Sequence, residues 1–419
     1  PMPGQRVFLR GIVTLVQDNQ GLYIEEPGSD ADPHTSNAIF IKASDLPAEI
    51  EPGSFIGARG TVSETGDGRR SMTTLSSIEE MVSCGSGQAL PLTKVELPLT
   101  GPDRESLEGM RISVPGPLVA TDVYRFGRGD FTLSGKGLQY IPTEVTAPGP
   151  DAISLLNSNR AHALPVHRPE GMAGPELLTS GMDVGQVIGV MAHDGRDLRL
   201  SLQSIAGDPT PSFPEPRATG TDSLRIVGMN LHNYFNGDGR GSGFPTRRGA
   251  ETFEEFQHQR GRIGAAVNVL DPHLIAVMEL ENDGFGSLGA SSDFIRLVDG
   301  ATGATWAVTR PAGDNTGDDQ ITVGIFYRSD RLEAIGPAET LTGPEFERSR
   351  QPQAQLFRQL PDGENILVVI NHLKSKGSCP DSGENADQRD GQGCWNPMRE
   401  ASARMMAAWS KEVASEKGT

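Results

Sequence analysis

Hydrophobic and polar positions change their period along this chain. Over the first hundred residues apolar side chains alternate with polar ones in Val7 to Val13, Gly21 to Glu25, Ala38 to Lys42 and, after the turn signal Pro52-Gly53, Gly57 to Val62. Alternation punctuated by Gly and Pro predicts short strands curled into a small barrel. Three strands, a glycine-rich turn and a further strand fit an OB-fold over residues 1–98. A second β-rich pattern fills residues 99–216: Met110 to Val114, Phe131 to Ser134, Val187 to Met191 and Leu198 to Leu202. A long irregular insertion is expected around Pro148 to Pro175. Pro209 to Pro216 places four prolines in eight residues and reads as a linker.

From residue 217 to 419 strands alternate with helical faces. Glu251 to Leu270 spaces Phe253, Phe256, Ile263, Val267 and Leu270 as one helix stripe, stopped by Asp271-Pro272. Met398 to Val413 predicts an amphipathic helix with Met398, Ala401, Met405, Ala408 and Trp409 on one face. Ile321 to Tyr327 reads as a strand. Three further apolar runs each end in a polar residue capable of chemistry. Leu224 to Met229 leads into Asn230, Leu274 to Met278 into Glu279, and Ile366 to Ile370 into Asn371-His372. Each reads as a buried strand, and in layered α/β folds the loops past strand ends carry the working groups.

Composition narrows the function classes. The 419 residues carry a net charge of −18, with 51 Gly and 30 Pro, which suits a loop-rich chain kept in solution by its charge. So acidic a chain does not gather nucleic acid through its overall field; action on a polyanion needs a local basic patch or bound cations. No apolar run approaches the ~20 residues of a membrane span. The opening Pro1-Met2-Pro3 reads as a processed or trimmed start. Cys379 and Cys394 share a Gly/Asp-rich loop, Gly377 to Pro397, with little core of its own. A disulfide in an oxidising compartment is the favoured reading there, and two free thiols the alternative. Cys84 has no obvious partner and reads as a buried thiol or as one that has lost its mate.

An amide, a carboxylate and an imidazole gathered on one rim suit metal-assisted attack on phosphorus. Glu279 beside Asn230 makes an oxygen-rich site for Mg²⁺ or Mn²⁺, with Glu281 as a second carboxylate; the bland reading is an acidic surface turn. A structural Ca²⁺ is a further candidate ion. His372, followed by Lys374 and Lys376, could move a proton beside a phosphate; the bland reading is a hydrogen-bonded structural histidine.

Met229 to Asn236, Met278 to Gly284, Ser349 to Pro352 and Asn371 to Pro380 together resemble the bacterial extracellular nucleases of the ExeM/NucH type. These lie within the deoxyribonuclease-I-like endonuclease/exonuclease/phosphatase superfamily. Gly391 to Asn396 with Arg399 is similar to the same family, as is Asp32 to Ile41 in the OB-like part. The resemblance covers most of the chain and implies roles by position. Asn230 orients the scissile phosphate and the attacking water, Glu279 is the principal metal ligand, and His372 is the general acid/base. Arg350 contacts a phosphate oxygen, and Asn371, Lys374 and Lys376 hold the substrate backbone. Asp319 matches an acid that pairs with the imidazole; a surface turn is the alternative. Cys379–Cys394 is a disulfide pinning the loop after His372. The implied fold is a four-layer α/β sandwich behind N-terminal OB-like modules.

The chain departs from the family pattern after Met398. A Gly-Asp-Phe-Asn strand end and a later Asp-His pair are expected there, and neither precedes Thr419. The expectation is a sandwich truncated at its C-terminal side, the remainder being a separate chain or fragment. The leading reading is a secreted, extracellular or periplasmic, divalent-metal-dependent nuclease acting on DNA or RNA. The alternatives are a non-catalytic binding or scaffold protein with a degenerate nuclease domain, and a phosphomonoesterase or lipid phosphodiesterase on the same fold. For the OB-like modules a spacer role is set slightly ahead of single-strand binding, since their strands carry few aromatics.

Overall fold

The computed structural model divides into two compact units, Pro1–Pro214 and Glu215–Thr419. It describes residues 2–17, 20–28, 32, 34–66, 71–172, 177–194, 197–207, 223–361 and 363–418. The Pro209 to Pro216 linker, Pro33 and Pro175 lie outside the described residues.

In the first unit, β1 (Arg6–Gln17), β2 (Gly21–Glu25), β3 (Ala38–Lys42), β4 (Phe55–Thr65) and β5 (Met72–Gly85) close a barrel in the order β1-β2-β3-β5-β4. Val13, Leu22, Ile24, Ile41, Ile56 and Leu75 fill it, as the alternating pattern requires. Hydropathy does not reveal β5, because Thr, Ser and Glu dominate it. Pairing on both sides, antiparallel to β4 and parallel to β3, holds it in the sheet. Cys84 lies near the end of β5 and is exposed, so it is not the buried thiol expected.

The rest of this unit is one seven-stranded sheet. Its strands are β6 (Thr93–Lys94), β7 (Arg111–Val114), β8 (Val119–Asp122), β9 (Asp130–Ser134), β10 (Ala163–His167), β11 (Val187–His193) and β12 (Leu198–Ile205), in the order β6-β7-β11-β12-β10-β9-β8. The short helices α1 (Gly101–Glu105) and α2 (Pro142–Val145) precede α3 (Pro150–His162). The insertion expected to be irregular is therefore mostly α3 and β10. Its apolar residues have no helical stripe, and Pro150 and Asp151 in the first turn are the local start signals.

The second unit stacks helices on a sheet and that sheet on another. β13 (Ile226–Tyr234), α4 (Phe253–Leu270), β14 (Leu274–Glu281), α5 (Ala290–Thr302), β15 (Trp306–Val308) and β16 (Ile321–Arg328) come first. β17 (Leu332–Thr340), β18 (Gln353–Gln359), β19 (Asn365–Ile370) and α6 (Asn396–Glu416) follow. One sheet runs β13-β14-β16-β15 and the other β17-β18-β19. Tyr234, Phe256, Val277, Phe294 and Phe326 pack the first sheet against α4 and α5. Leu274, Val323, Ile325, Phe357 and Ile370 pack the two sheets together.

Two expectations change here. β14 is buried over most of its length, but β13 is an edge strand whose exposure alternates, and β19, also at an edge, is only half-buried. The inward face of α6 is Ser402 and Val413, with Ala401 and Ala408 exposed. Ser402 Oγ donates to the Glu345 carbonyl at 2.7 Å, and Met398, Met405 and Trp409 of the expected stripe are half-buried beside it.

Candidate active site

Backbone irregularity within two neighbouring strands assembles the site. β13 and β14 run parallel in even register as far as Asn230 opposite Met278, and both then slip. Glu279 adopts φ 61°, and His232 and Asn233 adopt φ 58° and 57°. Left-handed backbone at a non-glycine residue costs about 1–3 kcal/mol and persists where its surroundings enforce it. The bulge takes the Glu279 side chain off the strand's alternation and onto the rim beside Asn230.

Hydrogen bonds fix the pair. Asn230 Nδ2 donates to Glu279 Oε1 at 3.0 Å, and His232 N–H donates to Asn230 Oδ1 at 2.8 Å. The amide therefore has one orientation. Asn233 N–H donates to Glu279 Oε2 at 3.0 Å. Behind the rim, the buried Tyr234 hydroxyl donates to Asp293 of α5, which pairs with Arg260 of α4 at 2.9 Å. Glu281 stands apart from this cluster: it accepts the Asn236 N–H at 3.2 Å, and burial, with Asp283 nearby, pushes it up to about 7.

His372 follows β19 and reaches the same rim from the other sheet. Its Nε2 lies 3.7 Å from Glu279 Oε1, and the side chain is 17% exposed. Burial, then the Arg350 charge, hold the imidazole below its ordinary pKa, against the pull of Glu279 and Asp319. His372 Nδ1 is buried without a hydrogen-bond partner among the described residues, as is Arg350 Nε. Arg350 N–H donates to the His372 carbonyl at 3.1 Å, joining the 349–352 loop to the strand end.

The expected Asp319–imidazole pair is not formed. Asp319 Oδ2 lies 3.3 Å from Arg350 Nη2 and Oδ1 3.4 Å from Arg248 Nη1. Two fixed guanidinium charges hold a carboxylate more firmly than a neutral ring does.

The two lysines have different surroundings. Lys374 Nζ donates to the Ser375 and Gly377 carbonyls at 3.0 and 2.9 Å and sits over the Trp395 ring. It clamps its own loop instead of standing ready for a substrate. Lys376 is exposed on that loop, and Asn371 is half-buried beside His372. Cys379 and Cys394 form a disulfide with Cα atoms 5.4 Å apart. Arg399 reinforces it, donating to the Cys394 carbonyl at 2.7 Å and the Lys374 carbonyl at 3.3 Å.

A cleft of about 1000 Å³ opens beside Asn230, lined by His232, Arg248, His258 and Arg262 among others. None of these four was marked from the sequence. The available signals were the Arg247-Arg248 pair before α4 and the i, i+4 spacing of His258 and Arg262 on its exposed side.

A divalent cation was expected on Glu279 and Asn230. Among the described residues no three His, Cys, Asp or Glu side chains gather where they could hold a metal. One carboxylate and one amide fit an ion that keeps several waters and takes its remaining ligands from a phosphate, as Mg²⁺ does; they do not fit a closed tetrahedral cage.

No protein-family model matches the chain, and no curated protein matches it. Solved structures overlap it in part. A humanized D. rerio TDP2 aligns at 14% identity over 45% of this chain and 56% of that one, with TM-score 0.27. An endonuclease/exonuclease/phosphatase family protein from Bacteroides thetaiotaomicron aligns at 14% identity over 46% and 58%, with TM-score 0.30. The human Nocturnin catalytic domain with bound sulfate aligns at 13% identity over 37% and 51%, with TM-score 0.23. The overlap spans little more than half of each of those chains, and the functional reading rests on the side-chain geometry alone.

Proposed function

We propose that this chain is a divalent-metal-dependent phosphodiesterase of the endonuclease/exonuclease/phosphatase type that hydrolyses nucleic acid, DNA before RNA, in an oxidising extracellular or periplasmic setting. One observation carries the reading. Asn230, Glu279 and His372 come from three strands on two sheets and meet on one rim, with the Arg350 N–H bonded to the His372 carbonyl. Glu279 and Asn230 would hold the cation, which supplies charge neutralisation at the scissile phosphate. His372, whose pKa burial lowers, is the proposed proton acceptor for the attacking water. Arg350 stabilises charge on the phosphate oxygens, and the cleft with Arg248 and Arg262 offers local cations despite the net charge of −18. The five-stranded barrel is read as an OB-type module, and the disulfide supports the oxidising compartment.

Plasmid digestion in Mg²⁺ or Mn²⁺, with an EDTA control and with Glu279→Gln, tests this. Nicking that survives EDTA, or that survives Glu279→Gln, would sink it.

A further inference from the structure

The segment Tyr124-Arg125-Phe126-Gly127-Arg128-Gly129 joins β8 to β9 at the edge of the seven-stranded sheet, and the proposed chemistry makes no use of it. Tyr124 is 84% exposed, more than any other large hydrophobic side chain among the described residues. Single exposed apolar groups are ordinary; this one stands on fixed backbone. Asp122 Oδ1 accepts the Tyr124 N–H at 3.0 Å. The Val123 carbonyl accepts from Phe126 at 3.0 Å, and the Arg125 carbonyl accepts from Arg128 at 2.9 Å and Asp130 at 3.2 Å. Gly129 has φ 86°, and a Cβ there would lie 2.4 Å from the Arg168 carbonyl. Arg168 N–H donates back to the Gly129 carbonyl at 2.8 Å, and its guanidinium lies 4.9 Å over the Phe126 ring.

The turn carries two arginines, Arg125 and Arg128, between two acids, Asp122 and Asp130. Arg125 and Arg128 are exposed, and no carboxylate pairs with either among the described residues. Asp122 is committed to the turn, and Asp130 is held by His167 Nδ1 at 2.8 Å and Arg199 Nη1 at 3.1 Å. Glu170, two residues past Arg168, is the remaining acid close in sequence.

A flat aromatic on rigid backbone loses little freedom when it stacks, and neighbouring arginines add phosphate contacts and cation–π attraction. Bases of a single strand present free π faces, which a duplex conceals. We propose that the β8–β9 turn is a stacking platform for single-stranded nucleic acid, with Tyr124 against a base and Arg125 and Arg128 on flanking phosphates. The choice of partner class rests on the phosphodiesterase reading of the other unit.

Fluorescence anisotropy with the full chain, a labelled oligothymidylate of about 16 nucleotides and EDTA to prevent cleavage tests it. Tyr124→Ala is expected to weaken binding about ten-fold, with Tyr124→Phe within about two-fold of the unaltered chain. The double change Arg125→Ala, Arg128→Ala should also cost about ten-fold. A duplex of the same length should bind more weakly and ignore Tyr124→Ala. Unchanged affinity in Tyr124→Ala or in the double variant, equal loss in Tyr124→Phe, or no binding by the unaltered chain overturns the platform. Plasmid digestion by the same preparations separates the two readings. Cleavage without Tyr124-dependent binding removes the platform alone; Tyr124-dependent binding without cleavage removes the phosphodiesterase alone.

Discussion

Glu25 and Glu279, one in each unit, are strand carboxylates that each accept a backbone N–H, from Arg111 at 2.8 Å and from Asn233 at 3.0 Å. Glu25 is 3% exposed and in regular register with both Ile12 and Ala38. Burial pushes it up to about 7, against the pull of Arg111. It serves as a neutral-leaning hydrogen-bond acceptor inside the first unit. Glu279 has an 18% exposed side chain, sits on left-handed backbone in a bulge, and turns its second oxygen toward an amide and an imidazole. Folding gains nothing from that strain that an unstrained strand would not supply, so the strain argues for chemistry at Glu279 and its absence argues for structure at Glu25.

The largest effect is expected from Glu279→Gln: about 10³-fold less plasmid nicking in Mg²⁺, with a thermal midpoint within about 3 °C. Glu25→Gln should leave nicking unchanged; comparable losses in both variants would erase the contrast. His372→Ala should cost about 10²- to 10⁴-fold in turnover, read by initial rates on the same plasmid. Arg350→Ala, which leaves Asp319 with Arg248 alone, should lower kcat/KM about 10²-fold, and Arg350→Lys should recover little of it because a lysine cannot form the same fork.

Stability effects are smaller. The disulfide spans 15 residues, so Cys394→Ser should cost about 3 kcal/mol in denaturant unfolding of the second unit, whereas Cys84→Ser should change nothing measurable. Glu25 gives the smallest effect and a pH signature. Its folded-state pKa of about 7 stands above the ordinary 4.5. Below 4.5 both folded and unfolded chains hold the proton, and Glu25→Gln is neutral. As pH rises from 4.5 to about 7 the unaltered chain loses stability that the glutamine variant keeps. By pH 8 the variant should unfold later by of the order of 2 kcal/mol, discounting the full linkage value for relaxation around the charge. Equal melting of the two proteins across that range would show that Glu25 carries no such burden.

Much of the site was legible because the three strand ends were. Short apolar runs stopping at Asn230, Glu279 and His372 are a property of order along the chain. The bulge is not, since nothing in Val277-Met278-Glu279-Leu280 marks a left-handed residue. The cleft cations were missed because His258 and Arg262 look like any solvated helix face until residues 230–232 of β13 are brought alongside. There Gln259 Nε2 donates to the Leu231 carbonyl at 2.7 Å. Asp319 was found as a residue and misassigned as a partner, because its two arginines lie 71 and 31 positions away in sequence. β13 was read as buried because hydropathy cannot distinguish an edge strand from a central one. In the barrel, β5 was missed because pairing, not apolar content, holds it.

The ion triplet Arg248–Asp319–Arg350 has a consequence for how such a site lets go. A small counter-ion displaced from an arginine diffuses away; Asp319 is fixed to the chain and stays within reach. Under the proposed phosphodiesterase reading, a phosphate that took Arg350 would leave an internal competitor beside it, ready to reclaim the guanidinium once the bound chain was cut. Such an arrangement would give up some grip on a substrate and gain clearance of a product, favouring repeated turnover over tight retention.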